Sequence, residues 1–242
     1  MQSLISKLAT STLAKSALDL LFPLECFGCR EEGDVLCPSC LAGATRLTQP
    51  YCRLCAQPGN SSPCASCQVS TLDVDAIRAP FLLDGAIQNA VHALKYRNLR
   101  AAAPRLGGLM GEFLTSGRIP GDVLVPVPLH SSRQRQRGYN QSELLAREIA
   151  KTTGLKVDTG LLARTRDTAP QVGSPGREER RRNVEGSFEA KSEPRAEACL
   201  KGAAIIVVDD VATTGSTISA CATALKSAGA GSVWGLVLAR EA

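Results

Sequence analysis

The chain has 242 residues, of which 44% are apolar and 21% charged, with a formal net charge of +5. That composition is ordinary for a folded protein, and no run approaches the ~18 consecutive apolar residues of a membrane span. The charge excess is mild, so where the cations cluster matters more than their sum.

Residues 1–22 read as an amphipathic helix. Leu4, Leu8, Leu18 and Leu21 are among its apolar positions, and Lys7 and Lys15 interrupt them. Those lysines and the lack of a small-residue cleavage site set it apart from a signal peptide, and a cytoplasmic protein is expected. Residues 23–70 hold eight of the ten cysteines. They fall into four Cys-x-x-Cys knuckles: Cys26/Cys29, Cys37/Cys40, Cys52/Cys55 and Cys64/Cys67. A two-residue gap lets both thiolates of a tight turn face one ion, and two knuckles complete a tetrahedral site. A disulfide framework belongs to secreted domains, so two structural zinc ions are expected, held by thiolates alone. The spacing permits contiguous pairing (first knuckle with second, third with fourth) or an interleaved cross-brace. Contiguous pairing is favoured because each half has a similar short spacing and a longer gap divides the halves. Such closed sites are structural, and so short a segment would be stapled by metal more than by a core.

From residue 71 to 242 the texture changes to alternating strands and helices. A strand is expected over 76–83 and a helix over 85–98, with Ile87, Ala90, Val91 and Leu94 on one face. A buried strand follows over 122–129, then a helix over 140–154 stopping at Gly154. Residues 161–166 read as a further short strand. The stretch 166–183 looks like a mobile loop containing a short Arg-rich helix, with Ser174 as N-cap and Pro175 first. "IIVV", residues 205–208, is the most continuous apolar run and reads as a central strand covered on both faces. A helix ending at Gly229 and a closing strand over 232–239 complete the pattern. This alternation predicts a parallel α/β sheet with flanking helices. Cys221 lies on an apolar helix stripe, where a small buried thiol is expected; Cys199 shows no role.

Ligands in such sheets bind beyond the carboxyl ends of the strands, which is where Asp209 and Asp210 fall. The following Thr/Gly turn opens a helix, so its N–H groups and the positive dipole end form a phosphate cradle. Acids beside a phosphate would repel it, so their reach is to hydroxyls attached to that phosphate, or to a metal ion. Phosphate, ribose hydroxyls and Mg²⁺ together describe a phosphoribosyl group.

"IIVVDDVATTGST" resembles the 5-phosphoribosyl-1-diphosphate (PRPP) motif of type I phosphoribosyltransferases, departing from it at Ala212, where a larger aliphatic residue is usual. The Cys-x-x-Cys knuckles leading into "LKYRN", "PVPLH", "RQRGYNQSELLA", "RTRDTAPQ" and "REERRRNVEGSF" are similar to the ComF family over nearly the whole chain from about Leu20. The resemblance implies a type I phosphoribosyltransferase-like sheet preceded by a small zinc-knuckle domain with four cysteines per ion. It implies that Asp209 and Asp210 are the catalytic pair, holding the ribose hydroxyls, and that Val211, Ala212, Thr213, Thr214, Gly215, Ser216 and Thr217 form the phosphate-binding turn. Pro128, Leu129 and His130 would supply the pyrophosphate loop. Arg133, Arg137, Arg177 and Arg180 would close over the diphosphate as a hood. The implied ligands are PRPP and Mg²⁺. The activity would be phosphoribosyl transfer to a nitrogen nucleophile with release of pyrophosphate, in competence, DNA uptake or nucleotide metabolism. The alternative is a non-catalytic adaptor for single-stranded DNA or competence-machinery proteins, with PRPP as a regulatory ligand.

Overall fold

The computed structural model describes residues 24–69, 72–96, 99–166, 184, 186–191 and 193–242. The expected helix over 1–22, the loop at 167–183, and with it Arg177 and Arg180, lie outside the described residues.

In chain order the elements are α1 (Pro38–Ala42), α2 (Ala65–Val69), β1 (Ala76–Arg78), β2 (Phe81–Leu82), α3 (Gly85–Tyr96) and a 3-10 turn (Arg100–Ala102). Then come α4 (Ala103–Ser116), β3 (Val123–Pro126), α5 (Ser131–Arg137), α6 (Gln141–Thr153), β4 (Lys156–Val157) and β5 (Leu162–Arg164). The last are β6 (Phe188–Ala190), α7 (Pro194–Leu200), β7 (Ala204–Ala212), α8 (Ser216–Ser227) and β8 (Ser232–Arg240). The main sheet has six strands in the order β1-β8-β7-β3-β4, with β2 also beside β8. Every pairing within it is parallel.

Strand β7 explains why its sequence does not alternate. Ile206 and Val208 enter one core, shared with Leu94, Met110, Leu124 and Ile149. Ile205 and Val207 enter the other, shared with Ile77, Val125, Ile218 and Leu225. Both faces are covered by helices, so every position is apolar until the strand reaches its acids.

Helix α6 runs as the pattern predicts, from an Asn140 cap to a left-handed Gly154 at φ +74°. Three expectations need correction. The strand over 76–83 is split at Ala79–Pro80, because Pro80 has no N–H for the ladder. The break docks on the Cys-rich segment, where Leu47 N donates to Pro80 O at 3.0 Å and Leu82 N donates to Thr45 O at 2.9 Å. Residues 162–164 leave the parallel sheet and pair antiparallel with β6, in the register Leu162↔Ala190. Strand β8 does not close the sheet; it lies between β1 and β7.

Helix α4 has no counterpart in the sequence reading, since Gly107, Gly108 and Gly111 argue against a helix on propensity. Its glycines serve close packing. A Cβ on Gly107 would stand 2.4 Å from Glu148 Cβ, and one on Gly111 2.7 Å from Thr152 Cβ, both on α6. The Cys-rich segment also contributes to both cores, through Val35 and Leu36 on one side and Leu47 and Ala56 on the other. Packing therefore helps to hold it in place.

Candidate functional site: two thiolate centres and an acid–threonine loop

Cys26, Cys29, Cys37 and Cys40 bring their sulfurs within 4.8 Å of one another, and so do Cys52, Cys55, Cys64 and Cys67. The pairing is contiguous. Each centre is prepared by N–H groups aimed at sulfur. Gly28 N and Cys37 N each donate to Cys26 Sγ at 3.4 Å, and Cys64 N donates to Cys52 Sγ at 3.4 Å. Burial opposes ionisation of Cys26, but N–H groups of Cys29, Cys37 and Gly28 outweigh it and bring the thiol down to about 6. Cys40, hydrogen-bonded to the Cys26 and Cys37 sulfurs, is pushed up to about 12. The second centre repeats this. Against burial, the N–H groups of Cys55, Cys64 and Leu54 lower Cys52 to about 6, while burial and Cys55 raise Cys67. One thiolate is favoured in each centre, and the raised thiols of Cys40 and Cys67 need a nearby cation to ionise beside it. That is the chemistry of an all-cysteine, four-coordinate zinc site. Both centres are closed and structural.

The acid pair ends the apolar stretch of β7. Asp210 is 2% exposed. Its Oδ1 meets Lys95 Nζ at 2.9 Å, while its Oδ2 is buried without a hydrogen-bond partner among the described residues. Asp209 Oδ1 accepts from Ser142 Oγ at 2.8 Å and from Asp210 N at 2.9 Å. Burial, then the charge of Asp210, push the Asp209 carboxyl up to about 7, against the attraction of Lys95. Burial would lower Lys95, but the charges of Asp210 and Asp209 prevail and hold it above its usual value.

Thr213 and Thr214 turn the chain into α8. Gly215 caps that helix at φ +81°, a conformation that side chains disfavour. Thr214 Oγ1 lies 2.7 Å from Ser216 Oγ and accepts from Ser216 N at 3.2 Å, which fixes the turn. Beside it, Val127 N donates to Val208 O at 2.9 Å, so the 127–130 loop leaves the sheet next to the acids. Asn140 Nδ2 pins that loop through Val127 O at 3.0 Å.

Asp209, Asp210, Thr213, Thr214, Gly215, Ser216 and Thr217 thus form one continuous strand-end, turn and helix start. Val211 and Ala212 are the last residues of β7, paired with Ala239 and Arg240, and lead directly into the turn. His130 caps α5, with Nδ1 2.9 Å from Ser132 Oγ, and Pro128 and Leu129 lead into that cap. Arg133 lies on α5. Arg137 ends α5, donates to Gln141 Oε1 and stacks over the Tyr96 ring at 5.6 Å. Ser142 is not among the predicted site residues; Lys95, which the sequence leaves between reaching a phosphate and lying on the helix surface, pairs with Asp210. The signal for Lys95 was present: Ile87, Val91 and Lys95 step four residues at a time along the buried stripe of α3. Ser142 had none beyond its place at the start of a helix.

Residues 17–68 match the family model described as a double zinc ribbon domain. A parallel sheet whose central strand carries paired acids near its end, then a Thr/Gly turn and a helix, together with a double zinc ribbon, defines an α/β protein with a zinc module. The DNA utilization protein YhgH of Salmonella typhi is 33% identical over 207 residues, covering 82% of this chain and 87% of that protein. Competence protein ComFC of Bacillus subtilis is 26% identical over 226 residues, 85% of this chain and 84% of the relative. This chain belongs to the ComF family. Competence protein F of Haemophilus influenzae is 32% identical over 120 residues, 49% of this chain and 51% of its own. Among solved structures, the allosteric regulatory enzyme of purine biosynthesis has a TM-score of 0.37 at 21% identity, covering 56% of this chain and 26% of that one. No helix among the described residues is long and apolar enough to cross a membrane.

Proposed function

We propose that this protein binds PRPP with Mg²⁺ in the crevice at the end of β7 and transfers its phosphoribosyl group to a nitrogen nucleophile, releasing pyrophosphate. One observation carries the reading: a buried carboxylate oxygen, Asp210 Oδ2, has no partner among the described residues. An unsatisfied buried acceptor costs free energy, and a ribose hydroxyl is the donor that would satisfy it. The phosphate then lies on the N–H groups of the turn 213–217, at the positive end of α8. Bound Mg²⁺ would neutralise charge on the diphosphate as it leaves, beside the 128–130 loop and the cations of α5. Arg177 and Arg180 are assigned to the same hood on sequence alone.

The family relatives named for competence and DNA utilization support a role in DNA uptake or use. A second reading makes the chain an adaptor that contacts single-stranded DNA or competence proteins, with PRPP as regulator. It is favoured by Tyr96, 70% exposed beneath the Arg137 guanidinium, the kind of ring on which a base stacks. The thiolate centres suit a reducing compartment such as the cytoplasm. Pyrophosphate release from PRPP, measured across a panel of bases, amines and ammonia, separates the two readings. Turnover with one acceptor supports the transferase. Tight PRPP binding without turnover on any acceptor supports the adaptor.

A further inference from the structure

We propose that Arg240 is a positioning residue that couples the second zinc centre to the phosphate turn, so that metal and phosphoribosyl ligand favour each other's binding. The inference rests on reading residues 213–217 as that turn. Arg240 ends β8 and is 2% exposed. Its Nε donates to Cys55 O at 2.9 Å, on the third knuckle, and its Nη2 to Gln57 Oε1 at 2.5 Å, two residues beyond it. Its Nη1 donates to Ala212 O at 2.9 Å and to Glu241 O at 2.5 Å. One planar fork therefore joins the backbone of a zinc-ligating turn to the last strand residue before Thr213.

A buried guanidinium is costly unless its charge is compensated. Four thiolates around a dication leave an excess of negative charge beside Cys55, and Arg240 is placed to offset it. Outer partners of this kind hold metal ligands in place. The same knuckle also supports the far end of the turn. Leu54 O accepts from Ile77 N at 2.7 Å. Ile77 Cδ1 and Leu72 Cδ1 stand 2.8 and 3.1 Å from where a Cβ on Gly215 would be. The residues 54–57 thus brace both Ala212 and Gly215. The first centre faces elsewhere: Asn89 Nδ2 donates to Phe27 O at 3.0 Å and Arg105 Nε to Leu36 O at 3.4 Å, from α3 and α4. It is an internal control.

Linkage makes such coupling reciprocal, and typical couplings change affinity by about 5–150-fold. The test uses the full-length zinc-loaded protein under a chelator. Alkylation rates of Cys64 and Cys67 report the second centre, and those of Cys29 and Cys40 the first. PRPP with Mg²⁺ should slow alkylation at the second centre by at least about 5-fold and leave the first unchanged. Gln57→Ala, which removes one hydrogen bond, should shrink that protection; Arg240→Met should abolish it. Amide hydrogen exchange of Thr213, Thr214 and Gly215 without ligand should rise in both variants, a readout that needs no PRPP. If Arg240→Met fails to fold, Gln57→Ala decides alone. Equal PRPP protection of both centres, or turn exchange and second-centre alkylation unchanged in Gln57→Ala, overturns the coupling. Absence of PRPP binding alongside faster turn exchange in the variants would instead sink the ligand reading and leave the mechanical link standing.

Discussion

Lys95→Met should cost the protein about 2–3 kcal/mol near pH 7.5, between the limits for exposed and buried pairs. The ammonium lies 2.9 Å from Asp210 Oδ1, with 24% of the lysine side chain exposed against 3% for the aspartate. Removing one partner of a buried pair costs ~3–5 kcal/mol, because the other charge is left uncompensated. An exposed pair contributes only ~0–1 kcal/mol, so the partial exposure of Lys95 discounts the buried figure. Methionine keeps the apolar stem, which isolates the charge. The loss should shrink near pH 5. Burial, then Asp210, raise the folded Asp209 carboxyl from 3.8 to about 7. Between those values the folded state holds a proton that the unfolded state has released. Stability from this group is therefore highest at the acid end and falls as pH rises through the window. Without Lys95 the carboxyl rises further and the fall steepens, so the gap between variant and parent widens with pH. Urea unfolding of zinc-saturated protein at the two pH values measures this. An equal loss at both, or less than about 0.5 kcal/mol near pH 7.5, would refute Lys95 as counter-ion of the acid pair.

Elemental analysis of protein purified without added metal should find zinc on both four-cysteine centres, and chelation should unfold the Cys-rich segment; quantitative disulfides in place of metal would contradict this. Gly111→Val places branched carbons where Thr152 already stands and should cost about 1–3 kcal/mol by overpacking α4 against α6; an unchanged thermal midpoint would remove that contact from the account. Gly215→Ala forces a Cβ into a left-handed position beside Ile77. It should cost about 1–2 kcal/mol, with weaker PRPP binding by calorimetry; undiminished affinity and stability would show the turn to be freely adaptable.

The centre of the fold was legible because its physics is local. The run Ile205–Val208 needs cover on both faces, and cysteine spacing reports ligand geometry directly, so sheet class and metal sets could be read from the chain. Helix α4 was not legible: Gly107 and Gly111 look like helix breakers until α6 is known to press against them. The β5–β6 pair is a contact between segments far apart in sequence, and no periodicity announces its antiparallel sense. Within the site, Asp209, Asp210 and the turn carry a motif. Ser142 and Arg240 matter only through partners that folding brings to them, and the stripe that holds Lys95 does not name Asp210 as its partner. Nor does the motif show that the Ala212 carbonyl accepts from Arg240.

The central claim is that the acids at the end of β7 hold a phosphoribosyl ligand, and calorimetry tests it most directly. PRPP with Mg²⁺ should bind the parent protein, and ribose 5-phosphate should bind more weakly because it lacks the diphosphate. Asp209→Asn and Asp210→Asn should each cost about 1.5–3 kcal/mol of binding, the range for hydrogen bonds to a charged acceptor. Unchanged PRPP affinity in the double variant, or no PRPP binding by the parent, would contradict the account.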